Sequence, residues 1–306
     1  MNARPGPAKE RDEARRGLWF GIGAYGLWGI LPIYFKAIAG VGAIDIVANR
    51  VLWSVPFLLV LLYAFGQSQE LRTVFGRPRT IGFLAVTAVL IGINWLLFVY
   101  AVTVGHILAG SLGYYLSPLA NVLLGRIILK EPLGRLQWAA VALAAAGISG
   151  LAFQAAGQLW ISLTLAVTFA TYGLLRKLAP VEATSGLTVE TILLLPLALA
   201  WLGFGLAAGE PVFGSTGFEI ALVLLAGVAT SVPLLLFTGA ARRLRYSTLG
   251  MLQFIAPTLQ FLCAVLLYGE DFTLWHAVAF ASIWLALGLY VYGLARQARI
   301  AVTLPE

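Results

Sequence analysis

Read for its apolar positions, the chain is a series of ten runs separated by short polar connections. The runs cover 17–38, 43–66, 80–103, 108–128, 136–153, 158–176, 187–207, 218–240, 247–268 and 274–294. Crossing ~30 Å of hydrocarbon takes roughly 20 mostly apolar residues in a helix, and each run has that length. The runs are apolar on both faces, without the short-range alternation of outer-membrane strands. In lipid each segment must satisfy its own backbone groups, so the predicted elements are helices. The expected fold class is an all-α membrane protein of ten transmembrane helices.

Composition sharpens this picture without changing it. Of 306 residues, 60% are hydrophobic and 11% charged, and the mean hydropathy is +0.91. The longest stretches outside the runs, 1–16 and 67–79, are too short to bury a core. A net charge of +7 would suit nucleic acid, but the placement of the charges argues against that partner. Lys and Arg fall on alternate connections: Arg4, Lys9, Arg11, Arg15 and Arg16; then Arg72, Arg77 and Arg79; then Arg126, Lys130 and Arg135. Arg176 with Lys177, Arg242 with Arg243 and Arg245, and Arg296 with Arg299 continue the series, while Glu210, Glu270 and Asp271 occupy opposite connections. The positive-inside rule then puts both termini in the cytoplasm and requires an even number of spans. Arg15-Arg16 before an apolar run resembles a signal peptide, but the run is too long and Lys36 stands beside the would-be cleavage site, so no cleavage is expected. The single cysteine, Cys263, reads as a small buried hydrophobe.

Shifting the chain against itself by 139–140 residues realigns its rare residues. Lys36 meets Arg176, Arg50 meets Glu190, Pro56 meets Pro196, Pro118 meets Pro257 and Glu131 meets Glu270. The expected units are a cytoplasmic tail at 1–16, a five-helix repeat at 17–153, a second at 158–294 and a cytoplasmic tail at 295–306. An odd number of helices per unit inverts the second relative to the first. Inverted repeats build secondary transporters, with a substrate site at the midplane seam and interrupted helices as its best pointer. The paired prolines Pro56, Pro196, Pro118 and Pro257 are therefore gating candidates, although such kinks also merely shape bundles.

Arg50 is the strongest single site candidate, since arginine at a helix centre costs about 2.5–3.5 kcal/mol unless it meets a cavity, counter-ion or substrate. Asp45 lies about 140° round the same helix and cannot pair with it, although Asn49 shares a face with Asp45. Tyr25, Trp28, Asn94, Trp95, Tyr114, Tyr172 and Gln253 are expected in the pathway, with Thr230, Ser231 and Gln260 in support; interhelical hydrogen bonding is the bland alternative. Trp160, Trp201 and Trp275 read as interfacial anchors. Asp45, Glu190 and Arg176 are coupling or gating candidates; Arg176 is expected to snorkel to water, and Glu190 to serve as a proton-coupling or inner-gate charge. Gly21 to Gly26 spells a dinucleotide-binding pattern, but inside a span and after no strand, so it is read as helix packing. His106 and His276 stand in different halves, so no metal site, catalytic site or cofactor is expected.

The runs Ile91-Gly-Ile-Asn-Trp-Leu-Leu-Phe98, Ser111-Leu-Gly-Tyr114, Tyr172-Gly173 with Arg176-Lys177, and Arg243-Leu-Arg-Tyr-Ser-Thr-Leu-Gly250 resemble the RarD branch of the EamA transporters, within the drug/metabolite transporter superfamily. The resemblance covers nearly the whole chain. It implies ten helices in two inverted five-helix units, a bacterial inner-membrane location and alternating access. Arg50, Trp53, Asn94, Trp95, Tyr114, Tyr172, Arg176, Glu190 and Gln253 match the branch pattern. Asn49 and Ala109 depart from it, standing where a histidine and a glutamate are expected, which puts proton coupling through those positions in doubt. The function expected is export of a small amphipathic metabolite or drug-like solute by a secondary transporter. A passive facilitator on the same bundle is the alternative; no acid–base or metal set supports an enzyme. The partners expected are the solute and the lipid bilayer. Proton coupling and oligomeric state stay open.

Overall fold

The computed structural model describes residues 7–104, 106–154, 156–267 and 274–303. Helices α1 (Pro7–Ala37), α2 (Ala43–Ala64), α3 (Ser68–Phe75), α4 (Pro78–Thr103), α5 (Ile107–Ile127) and α6 (Arg135–Gln154) lead to a single 3-10 turn at Ala156–Gln158. Then follow α7 (Leu159–Leu178), α8 (Ala183–Ala207), α9 (Gly217–Leu224), α10 (Ala226–Arg243), α11 (Tyr246–Leu252), α12 (Ile255–Leu262), a π turn at Cys263–Leu267 and α13 (Leu274–Thr303). Among the described residues there is no strand.

Every apolar run of the sequence lies on helix. Among the described residues eight helical stretches have both the length and the hydropathy to cross a membrane, with α9 joined to α10 and α11 to α12. The runs at 108–128 and 136–153 are α5 and α6, of 21 and 20 residues, which are not among those eight. Two segments are more ordered than their polarity suggested. The basic N-terminal stretch is helical from Pro7 onward, a residue suited to the first turn because its missing N–H is not needed there. The connection after α2 holds amphipathic α3, whose Leu71 and Val74 pack against Phe83, Val181 and Val189.

Packing interleaves the two halves of the chain. α1 lies on α10 and α12, α2 on α8 and α10, α4 on α7 and α8, α5 on α7 and α11, and α6 on α13. Small residues let these helices approach. A methyl group at Gly227 would collide with the α2 backbone at Trp53 and Ser54. Side chains such as Val60, Leu197, Phe204 and Leu285 stay exposed on the outer faces, as expected where lipid is the solvent.

The prolines act in three different ways. Pro56, Pro118 and Pro196 sit within continuous helices. Pro257 follows a break at 253–254 that separates α11 from α12. Having no N–H, Pro257 cannot serve the carbonyl of Gln253, which instead accepts from Ala256 N at 3.1 Å. Pro32, inside α1, releases the Trp28 carbonyl, and Gln260 Nε2 of α12 donates to it at 3.0 Å. That bond ties α1 to α12.

Candidate functional site

The bundle has two unlike ends. One, the basic end, is where α1, α4 and α8 begin and where α2, α7 and α10 finish. The other carries the connections from α1 to α2 and from α4 to α5. A cavity of about 520 Å³ occupies the half nearer this second end, within the ~300–1,000 Å³ range of small-molecule sites. Its wall runs from Ala39, Val41 and Ala43 at the α1–α2 connection down to Tyr25, Trp28 and Phe169 at mid-bundle. Both halves of the chain contribute to it.

Arg50 stands one-third of the way along α2 and, among the described residues, is the one charged residue lining the cavity. Its Nε donates to Thr230 Oγ1 of α10 at 2.7 Å. The guanidinium carbon lies 4.7 Å from the centroid of the Trp95 ring and 5.9 Å from that of Phe35. Aromatic faces attract a cation through their quadrupole while leaving its in-plane N–H edge free. None of the ion pairs among the described residues involves Arg50. The rest of the wall is aromatic or apolar, with three amides.

Those amides are partly committed to the bundle. Asn94 Nδ2 donates to Leu165 O and to Thr168 Oγ1, both at 2.9 Å, and so fastens α4 to α7. Gln253 Oε1 accepts from Asn121 Nδ2 at 2.7 Å across α5 and the α11–α12 break. Tyr25 OH is buried and finds no hydrogen-bond partner among the described residues, although the ring lines the cavity. Beneath the cavity Trp28, Phe169, Tyr172 and Phe237 form an aromatic floor: Trp28 meets Phe237 and Phe169 at 5.7 Å between centroids, and Tyr172 stacks on Phe237 at 6.4 Å.

Below that floor the basic end is closed by buried polar groups. Arg176 and Glu190 have side chains 0% and 1% exposed, with Nη1 and Oε1 3.3 Å apart. Thr87 of α4 donates to Glu190 Oε1 at 2.5 Å, Tyr172 OH to Oε2 at 3.3 Å, and Arg176 Nη2 to Ala183 O at 2.9 Å. The expectation that Arg176 snorkels to water is therefore corrected: Glu190, one helix away, gives it a counter-ion, and Gly186 leaves the room that a side chain would fill. Further cross-links flank the pair. Glu131, after α5, accepts from the first backbone amides of α11, Tyr246 N at 2.5 Å and Ser247 N at 2.9 Å. Glu70 of α3 does the same for α8, taking Glu182 N at 2.8 Å and Ser185 Oγ at 2.7 Å. A carboxylate at a helix N-terminus meets unsatisfied N–H groups and the positive end of the dipole. Lys177 donates to Ala241 O and Leu244 O at the end of α10, the complementary arrangement.

The sequence-predicted residues thus separate into groups. Tyr25, Trp28, Arg50, Asn94, Trp95, Tyr114, Gln253 and Pro257 come together around the cavity. Tyr172 does not line it; its ring is part of the floor and its hydroxyl reaches down to Glu190. Asp45 is apart from both, accepting from Trp201 Nε1 at 2.8 Å, while Asn49 bonds Val212 O at 2.8 Å. Pro56, Pro118 and Pro196 stand in helix interiors outside the cavity wall. Gly21 to Gly26 lies in the middle of α1, as a packing motif would. Glu270 and Asp271 lie outside the described residues, as do the side chains of Trp275 and His276. The sequence reading missed Phe35, Phe169, Pro32 and Thr87. Only Pro32 carried a signal of its own, as a proline mid-run.

This arrangement, a solute-sized cavity above a sealed base, can be set beside known proteins. A profile of the EamA-like transporter family matches residues 15–153. An uncharacterized transporter of Pseudomonas aeruginosa is 48% identical over 93% of this chain and 96% of that protein. Protein RarD of Salmonella typhimurium is 46% identical over 92% and 96%.

The chain belongs to the RarD branch of the EamA transporters. A Bacillus subtilis relative, described as the uncharacterized transporter YojE, is 38% identical over 95% of this chain and 98% of its own. A solved crystal structure shares the fold with a TM-score of 0.69 at 18% identity, over 90% of this chain and 96% of that one. As a member of this transporter family the chain is a multi-pass membrane protein with a small-molecule substrate.

Proposed function

We propose that this EamA-family protein is an inner-membrane secondary transporter that exports a small organic solute by alternating access. The carrying observation is the contrast along the bundle axis: a cavity reaches one end, while buried bonds between the two halves of the chain close the other. With basic connections in the cytoplasm the termini are cytoplasmic, and the conformation is one open outward and closed inward. Arg50, Trp95, Trp28, Tyr25, Tyr114, Asn94 and Gln253 form the solute site. Glu190, Arg176, Thr87, Glu131 and Glu70 form the inner gate. Glu190 serves as a gate charge, since an acid held by Arg176, Thr87 and Tyr172 together is poorly placed to exchange protons freely.

The proposal includes ten membrane-crossing helices, counting α5 and α6, in two inverted five-helix units at 17–153 and 158–294. The packing pairs support this. When each helix of the first half is exchanged for its counterpart in the second, α1 on α12 becomes α7 on α5, α1 on α10 becomes α7 on α4, and α2 on α10 becomes α8 on α4. The pairs α2 with α8, α5 with α11 and α6 with α13 map onto themselves. A pseudo-twofold between the units has that property.

Labelling with a membrane-impermeant maleimide tests the reading. In a Cys263→Ser background, a cysteine at Val47 should label from the outer face and one at Ala241 should resist labelling from the inner face. Glu131→Gln should reverse both trends. Simultaneous labelling of both positions, unmoved by that substitution, would instead indicate the passive facilitator. Accumulation of solute in inside-out vesicles reads the direction.

A further inference from the structure

We infer that the solute is an organic anion with an apolar, ring-sized body and no cationic group. The inference rests on the transport site proposed above and deepens it. Among the described residues the cavity wall presents one charge, the Arg50 guanidinium, and no carboxylate. Thr230 occupies Nε at 2.7 Å, and the Trp95 and Phe35 rings lie against the guanidinium. Among the described residues no hydrogen bond engages Nη1 or Nη2, and that edge presents two parallel donors that match the two oxygens of a carboxylate or sulfonate. An ion pair formed there, away from bulk water, gains more than the same pair in solvent.

Trp28, Phe98 and Phe169 supply flat apolar surface for the body of the solute. An ammonium group has no such welcome: no acid among the described lining residues would neutralise it, and Arg50 would repel it. The aromatic faces nearest Arg50 are already engaged by that cation. This separates a simple anion from both an amine and an amino acid.

A matched set of probes tests the inference on the full-length protein purified in detergent: 3-phenylpropanoate, 3-phenylpropylamine and phenylalanine. They share a ring and differ in charge. Calorimetry and quenching of tryptophan emission should show the anion binding, with the amine and the zwitterion at least about tenfold weaker, the ratio that 1.4 kcal/mol produces. Arg50→Gln should weaken the anion by about thirtyfold or more, as loss of one partner of a desolvated charge pair does; Arg50→Lys should fall between. Equal or tighter binding of the amine or of phenylalanine overturns the inference, as does failure of the anion to bind. Because the probe comparison is made on the unmutated protein, it decides the solute class even where a variant does not fold. Flux in proteoliposomes separates the two proposals. Binding of the anion without flux sinks the transport reading and keeps the solute class; flux of the amine does the reverse.

Discussion

At the basic end of the bundle Arg176 is wholly buried, faces Glu190 across 3.3 Å and donates to the Ala183 carbonyl. Toward the opposite end Arg50 is only partly buried, is served by one hydroxyl and two aromatic faces, and opens on the cavity. The same side chain is thus structural in one place and available in the other. The difference is made by what stands one helix away. Arg176 meets an acid that is itself held by Thr87 and Tyr172, so its charge is neutralised inside the protein. Arg50 meets no acid among the described residues, so the low-dielectric surroundings leave it a charge that a solute can neutralise. On the transport reading proposed above, one arginine closes an end and the other attracts cargo.

The largest test of that contrast is Arg176→Ala. Removing one member of a buried pair leaves Glu190 uncompensated, a loss of about 3–5 kcal/mol. Melting in detergent should show a protein that unfolds far earlier or fails to assemble. Replacing both members together, Arg176→Met with Glu190→Leu, should recover most of that stability, because an apolar pair of similar volume carries no stranded charge. A double variant as unstable as the single one would mean that the pair does more than balance itself.

Gly227→Ala tests the crossing that sets the two halves at their working distance. Its methyl group would strike the backbone of Trp53 and Ser54, atoms that cannot rotate aside. Overpacking of this kind costs about 1–3 kcal/mol. Since Arg50 lies one turn from this contact, the melting temperature and ligand binding should fall together. A drop in stability with unaltered binding would show that α2 shifts without disturbing the site.

How much of this was legible in the sequence depended on the range of the interaction. The ten helical runs followed from local apolarity, and Arg50 from being a charge in an apolar stretch with no neighbour of opposite sign on its own face. The fate of Arg176 was not legible in that way. Snorkelling or pairing is decided by a glutamate on the next helix and a threonine on α4, and a single chain does not display which faces meet. Likewise Pro257 announced a break, but the partner of the Trp28 carbonyl released by Pro32 required α12 to lie alongside α1. Tyr172 matched the family pattern, yet its placement in the aromatic floor, outside the cavity wall, depends on stacking with Phe237.

Glu131→Gln gives a smaller effect and a directional one. The carboxylate receives two backbone amides and the Ser247 hydroxyl at the start of α11, and the amide keeps the shape while losing the charge. A charge at a partly buried helix terminus contributes up to about 2 kcal/mol. The variant should stay folded but release the basic end, so that inner-face labelling rises and outer-face labelling falls. Equal labelling in the variant and the parent would remove Glu131 from the gate.

The smallest change in stability is expected where the change in function is greatest, at Arg50→Gln. Two effects oppose each other. The substitution gives up a hydrogen bond to Thr230, about 1 kcal/mol, and a contact with Trp95 of about 0.5–2 kcal/mol. It also removes an intramembrane charge whose presence costs about 2.5–3.5 kcal/mol. These nearly cancel, so the melting temperature should stay level or rise slightly, the opposite sign to Arg176→Ala. Measured side by side in one detergent, the two substitutions decide whether the arginines differ as their surroundings imply. If Arg50→Gln unfolds the protein as Arg176→Ala does, then Arg50 holds the bundle together, and the cavity loses the charge argued to draw a solute into it.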